Sequence, residues 1–501
     1  MKKILTLVIL VIISSAAWAQ TGTVKVYQVT PDADTTNDRY CSIASNRSGD
    51  IMIIYRNNLR GMKYYFKKKG SDTGVIAEIP NDLFPKAEAY KIKWMNVRAT
   101  WDGVFHAVWC NDIPYSGGIN YAMFNPTTQQ WSSVEKIVTG WIEDLHLRVN
   151  PVNGDLMLGW CWYLPNPTKK IWVQFKKNGE TAWGNRIAVS PNWATNAMSN
   201  FDEEGYLYTA WKQDASNVVD LIPGFGLLKK GSDGNYVYLG KVVNTDIVGW
   251  VFLTSVAAVQ RKGFLIGCWE QQRGYYYQPF ERQGDTIITD NKIWMWAADP
   301  PRRWDFASMA IPFGEEILYT FKDPATMIKM RRFKNGKFLD EPLIDLNNST
   351  ACNWLYDCQE DPDIGLLTVW STYFDPSKIF YSVWDNPLIH VRPAVNVAAS
   401  KKIERSFFRI RYFTIVTWQN NPYNIEKKVN VTKYNLYRRT QGSGLNWVLL
   451  AALDPTVFTY TDEKNVDASS NFEYYVTCLD DKGNESKIET AAAAPRSITL
   501  K

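Results

Sequence analysis

A glycine that precedes a hydrophobic strand recurs along this chain at Gly49, Gly103, Gly154, Gly205, Gly263, Gly314 and Gly365, at intervals of 54, 51, 51, 58, 51 and 51 residues. An aromatic stands six positions after most of them: Tyr55, Trp109, Trp160, Trp211 and Trp269. Trp370 follows its glycine at five positions, and Tyr319 and Phe321 flank the place in the sixth repeat. The clearest unit is Asn96–Ser133. It reads as strands at Val97–Thr100, Val104–Trp109 and Ile119–Phe124 and one starting near Trp131, split by an Asp-Gly turn, a Pro/Gly loop and an Asn-Pro-Thr-Thr turn. A period near fifty with four strands per repeat predicts a β-propeller. One such sheet leaves both faces apolar and has to be stacked between neighbours. The expected fold is all-β, with a seven-bladed propeller over residues 22–388.

Third strands alternate in several repeats, as in Met62-Tyr64-Phe66, Ile119-Tyr121-Met123, Ile171-Val173-Phe175 and Ile379-Tyr381-Val383. Alternation sets one row of side chains against the next blade. The seventh repeat stops after its third strand, near Trp384, while the N-terminal segment Thr23–Val29 belongs to no repeat. That segment is expected to pair as the outer strand of the last blade, which would otherwise present an open edge.

After Asn386-Pro387 the period is lost. Strand candidates follow at Ile415–Trp418, Lys433–Arg438, Trp447–Ala452, Val457–Tyr460 and Phe472–Leu479. The residues WQNNPYN, YNLYRR, VFTYTDE and FEYYVTCLDDKGNES resemble a fibronectin type III domain, an immunoglobulin-like β-sandwich, over 390–498. The resemblance implies that Trp418 is the core tryptophan and Tyr474 the tyrosine of the corner.

Residues 1–19 carry two lysines, the apolar run Ile4–Ile13 and Ala17-Trp18-Ala19. This pattern predicts a bacterial-type signal peptide cleaved after Ala19 and a secreted product, whether extracellular, surface-held or periplasmic. No later stretch is apolar enough to suggest a transmembrane segment. The formal charge of +5 falls to 5 − 2 = +3 without Lys2 and Lys3, too little to imply nucleic acid as a partner. Seven cysteines show no metal-ligand spacing, and three histidines add little, so no metal or cofactor is expected. Cys41 and Cys358 fall at equivalent places in the first and last repeats, where a disulfide is one option and buried thiols the other. The acidic stretch Asp32–Asp38 lacks the glycine and distal glutamate of a calcium loop.

In a propeller, the loops linking blades and those joining second to third strands gather at one end of the ring. Blade-linking segments here contain Trp94, Trp141, Trp193 and Trp250, with Trp294, Trp296, Trp304 and Trp354 further on. The second-strand ends bring Arg56, Asp112, Lys212 with Asp214, Glu270 with Arg273, and Lys322 with Asp323. Aromatic faces beside fixed charged groups suit a sugar, whose C–H face stacks on a ring while its hydroxyls meet donors and acceptors. The ligand-binding set is therefore Arg56, Trp94, Asp112, Trp141, Trp193, Lys212, Trp250, Glu270, Arg273 and Lys322. Packing between blades is the competing role for each tryptophan.

The turns Lys177-Asn178-Gly179-Glu180-Thr181-Ala182-Trp183 and Gly70-Ser71-Asp72-Thr73-Gly74 resemble degenerate Asp-boxes of the sialidase-like propellers with bacterial neuraminidase repeats. Neither is intact, and the Phe-Arg-Ile-Pro motif of sialidases is missing from the ring. Recognition of an extracellular or envelope glycan or protein, without catalysis, is the expected function. The alternative is a carbohydrate-active enzyme, a glycoside hydrolase or polysaccharide lyase. Its acid, base and substrate-binding roles would fall to Glu270, Arg273, Glu143 and His146. A purely structural surface protein is the third option.

Overall fold

The structure is a computed structural model. It describes residues 23–486 except 32–37, 47, 58–60, 81–91, 101, 112–116, 165–168, 215–220, 244–250, 270–273, 298–307, 314–315, 323–325, 349, 362–364, 373–375, 386–390, 408, 427–428, 441–446, 465, 468, 482 and 484. The chain divides into two compact units, Met1–Pro387 and Leu388–Lys501.

Among the described residues, the first unit holds seven antiparallel sheets of four or five strands. Six begin with a simple meander, as in Asp38–Ser45, Ile51–Asn57, Gly61–Lys67 and Val75–Glu78. The first strand of each sheet packs on the first strand of the next, and Cys352–Asp361 of the last sheet packs on Asp38–Ser45 of the first. The series therefore returns to its start, which is the arrangement of a β-propeller.

The last sheet has only three strands of its own, Cys352–Asp361, Gly365–Thr372 and Ile379–Asp385. Its fourth is the N-terminal Thr23–Gln28, paired from Thr23↔Asp385 to Gln28↔Phe380. The expected closure is therefore observed. Val24 and Val26 pack against the cluster that holds Trp384 and Leu366, and Tyr27 stacks on Tyr381 with ring centroids 4.9 Å apart.

The repeated glycines turn the chain between first and second strands. Gly49, Gly103, Gly154 and Gly205 have φ between 76° and 84°, a region costly for a residue with a Cβ. In the fifth sheet Gln260 and Arg261 take that conformation instead, at 52° and 65°. Gly263 there lies in the following strand, where a Cβ would come within 2.2 Å of the Ala257 carbonyl oxygen. Tyr55, Trp109, Trp160, Trp211, Tyr319, Phe321 and Trp370 are all fully buried, so the recurrent aromatic is a packing residue. Burying such a ring contributes on the order of 3 kcal/mol.

Cys41 and Cys358 are free thiols, as are Cys110, Cys161, Cys352 and Cys478, all buried; the optional disulfide does not form.

A buried polar seam crosses the innermost strands. Asp357 of the last sheet accepts from Arg98 Nη1 at 2.9 Å and Nη2 at 3.0 Å, from the Ile43 backbone N–H at 3.3 Å and from the Ser42 hydroxyl. Ser42 Oγ in turn accepts from the Val97 N–H at 3.0 Å. Asn96 receives the Leu147 N–H, and Arg148 Nε donates to Asn200 Oδ1 at 3.0 Å. Asn200 Nδ2 then reaches the carbonyls of Val256 and Ala310 at 2.8 and 2.7 Å, and Ser255 accepts from the Ala310 N–H. All seven sheets contribute to this seam. Burial pushes the Asp357 carboxyl up, but Arg98 and Ser42 outweigh it and hold it below the usual carboxylate range. Burial, then repulsion from Arg98, pulls Arg148 down to about 9.

Among its described residues, the second unit contains two three-stranded sheets. One joins Val395–Ser406, Arg409–Gln419 and Thr459–Asp462; the other joins Val448–Leu453, Val431–Thr440 and Phe472–Asp480. Their shared core includes Trp418, Tyr434, Tyr474, Val476 and Cys478. Tyr474 donates to the Asp462 carboxylate at 2.8 Å, a side chain and not the backbone acceptor of a tyrosine corner. The strand Val395–Ser406 was not among the sequence expectations. No helix among the described residues is long and apolar enough to cross a membrane.

Candidate functional site at the bulged end of the ring

Antiparallel pairing sets the start of each first strand beside the end of its second strand. The registers Arg39↔Arg56, Trp94↔Cys110, Trp141↔Leu164, Thr195↔Lys212 and Val251↔Trp269 all lie at this end of their sheets. Arg56 Nη1 donates to the Ile92 carbonyl at 2.7 Å, joining the second-strand end of the first sheet to the first-strand start of the second.

This end is irregular in a systematic way. First strands of six sheets lose register near their starts, at Arg39/Cys41, Ile92/Trp94, Glu143/His146, Thr195/Met198, Val251/Thr254 and Cys352/Tyr356. Bulges break the ladder and re-aim side chains, and they concentrate beside functional sites. Tyr40, Asp144 and Trp193, none of them glycine, have φ of 49°, 56° and 66° at these starts. Such strain persists only where surrounding contacts over-determine it.

The predicted residues separate into distinct settings. Trp193 is 47% exposed. Gln213 Nε2 donates to the Asn192 carbonyl at 2.5 Å and to the Trp193 carbonyl at 3.4 Å, while Gln213 Oε1 accepts from Trp211 Nε1. The exposed indole thus stands on a backbone pinned to a buried one. Lys212, beside Gln213, is half-buried. Trp94 is half-buried in the cluster formed with Val108, Leu147 and Trp160, where it wedges between the second and third sheets. Trp141 is also half-buried. Arg56 and Lys322 are 7% and 5% exposed. The Arg56 guanidinium lies 4.5 Å above the Tyr40 ring, and burial lowers its pKa. Asp112, Trp250, Glu270 and Arg273 fall outside the described residues, and Glu143 is placed as backbone in a strand.

His146 is 4% exposed, and burial with the Arg148 charge lowers its pKa to about 3. Its Nε2 meets the Ser199 hydroxyl at 2.9 Å and its Nδ1 faces the Asp144 carbonyl at 3.3 Å. Because a carbonyl only accepts, the proton belongs on Nδ1 and Ser199 donates to Nε2. The imidazole belongs to the polar interior. His106 is similar: burial takes it to about 4 between Thr100 and Tyr121.

A pH dependence follows. Both histidines are neutral when folded and would take up protons near 6.5 when unfolded. Their contribution is complete above about pH 6.5 and is lost as pH falls through 4 and then 3. Asp202, raised to about 6 by burial, works in the opposite direction between its ordinary value and 6, but it is one group against two. The melting temperature should rise from pH 4 to 6.5, and an H106Q/H146Q chain should show a flatter profile. Parallel profiles for the two chains would contradict the assignment.

Sequence reasoning missed Ser42, Arg98, Arg148, Asn200, Ser255 and Asp357. Their signal was polar residues five to eight positions before the repeated glycine, on strands otherwise apolar. The degenerate turns also hold a surprise. Asp50 and Asp155, next to those glycines, accept from the Lys69 and Asn178 N–H groups and so clasp the turns from outside. Trp183 packs edge-on against Tyr121 at 5.4 Å.

No protein-family model and no curated protein matches this chain. Solved structures do. A lectin from Burkholderia pseudomallei is 10% identical with a TM-score of 0.47, over 72% of this chain and 98% of that one. An α-L-arabinanase from Penicillium chrysogenum is 11% identical with a TM-score of 0.44, over 73% and 99%. A sialidase from Trypanosoma rangeli is 9% identical with a TM-score of 0.41, over 91% and 87%. At such identities and scores these likenesses carry nothing about ligand or activity.

Proposed function

We propose that this is a secreted, seven-bladed propeller followed by a fibronectin type III-like domain, and that it binds an extracellular or envelope glycan at the bulged end of its ring without transforming it. Residues 1–19 would be the signal peptide, 22–388 the propeller and 390–498 the sandwich. The sheet orders of the second unit, first-second-fifth and fourth-third-sixth among its strands, support the sandwich reading.

The observation that carries the binding function is Trp193: an exposed indole on strained backbone, held by Gln213, at the end where six first strands bulge. A sugar stacks on such a ring through its C–H face, and a pre-positioned ring loses little entropy when it binds. Lys212 and Trp141 would border the ligand, with Asp112, Trp250, Glu270 and Arg273 as further contacts; Arg56, Trp94 and Lys322 would support it from beneath.

The test is a glycan array probed with the full chain and with W193A. Saturable binding without product is expected, weakened about tenfold or more in W193A at an unchanged melting temperature. Undiminished binding would remove Trp193 from the site. Release of shortened product would replace this reading with the carbohydrate-active enzyme.

A further inference from the structure

The second unit carries a feature that glycan recognition at the ring does not use. Its strands Val395–Ser406 and Arg409–Gln419 pair from Val395↔Gln419 to Ser406↔Arg409. Among the described residues, the third strand of that sheet, Thr459–Asp462, pairs with Thr414–Thr417. Past Thr414 the hairpin continues as a two-stranded ribbon, seven residues from Lys401 to Phe407, spanning about 20 Å at strand rise.

The composition of this ribbon is specific. Thr414, Val416 and Trp418 are buried on the core-facing side, and the same row runs outward through Tyr412 and Ile410, opposite Ile403 and Arg405. Ile403 and Ile410 are 53% and 55% exposed, and Phe407 in the turn is 97% exposed. Around them stand Lys401, Lys402, Arg405, Arg409 and Arg411. Residues 401–412 thus carry five cations against one acid, Glu404. Arg411 lies 3.9 Å from Glu404 and also pairs with Glu463.

We propose that this hairpin docks on an anionic phospholipid surface. A two-stranded ribbon is marginal alone, and an exposed apolar row is a place for a partner. The charge excess selects an anionic one. An apolar residue at the leading point, flanked by long cationic side chains, fits the headgroup–acyl boundary, where the Phe407 ring enters and the guanidinium groups stay at phosphate level. The hairpin would tether the protein to a membrane face while leaving the ring to its own ligand.

The experiment is sedimentation of the full chain with sucrose-loaded vesicles, of phosphatidylcholine alone or mixed with phosphatidylglycerol. F407S and R405Q/R409Q are compared in the same chain, so that any pull from residues 1–19 cancels. Binding should favour the phosphatidylglycerol vesicles and weaken with added salt. At a surface potential of about −30 mV each removed charge is worth about threefold, so R405Q/R409Q should bind about tenfold more weakly. F407S should lose about tenfold or more through its apolar contact. Far-ultraviolet circular dichroism and melting should be unchanged, since all three side chains are exposed. Equal binding to both vesicle types, or undiminished binding by both variants, would overturn the proposal. So would capture by dextran sulfate with no vesicle binding, which would make the hairpin a polysaccharide contact.

Discussion

An Asp357→Ala chain is expected to melt roughly 5 °C or more below the wild type, or to fail to accumulate as folded protein. Asp357 is the carboxylate on which Arg98 closes with both terminal nitrogens, and it also receives Ser42 and the Ile43 N–H. Arg98 and Asp357 are 5% and 7% exposed in their side chains. Removing one partner strands the other charge away from water, a loss of about 3–5 kcal/mol. A domain has only about 5–15 kcal/mol in total. The contact also spans the first, second and last sheets, so its loss loosens the closure of the ring and not one blade. R98M/D357L removes both charges and should recover at least half of the lost stability, with the remainder reflecting Arg148, whose charge Asp357 also offsets. Thermal unfolding followed by circular dichroism checks both. A shift of less than about 2 °C in D357A would show that the seam does not hold the ring.

Deleting Thr23–Gln28 should be as damaging for a different reason. The strand supplies the last sheet with its outer ladder from Thr23↔Asp385 to Gln28↔Phe380. Without it the N–H and C=O groups of Ile379–Asp385 face solvent as an open edge, and the cluster containing Trp384, Leu366 and Phe313 loses Val24 and Val26. The expected result is loss of a single cooperative melt and a tendency to associate through that edge. A synthetic peptide of residues 21–31 should restore the melt in trans, because the missing element is a strand with its own register. A deleted chain that melts within a few degrees of the parent would show that the first unit does not depend on this pairing.

Much of the architecture was legible because it rests on local repetition. Glycine turns, an aromatic six positions later and a lone N-terminal strand are each properties of adjacent residues. The strands between them were less so. Ile51–Asn57 and Glu316–Lys322 are buried along their whole length, so a strand covered on both faces loses the alternation that marks a half-buried one. Val395–Ser406 escaped notice because its outer half, SKKIERS, carries charge where a core strand would carry aliphatics. That half lies beyond the core.

The site was legible only as a location. Recurrence brought the tryptophans and the charged strand ends to one end of the ring, but it gave Trp94 and Trp193 equal standing. Burial separates them, since Trp94 fills a gap between two sheets while Trp193 stands in the open. Spacing along the chain determined the repeat, the turns and the strand left over for the last sheet, because those depend on residues a few positions apart. Only the tertiary structure decided that Ser42, Arg98, Arg148 and Asp357 meet, that His146 is buried beside them, and that Phe407 stands exposed at the turn of a hairpin. Those are contacts across as many as 315 residues, and their energies depend on exclusion of water, which no local pattern records.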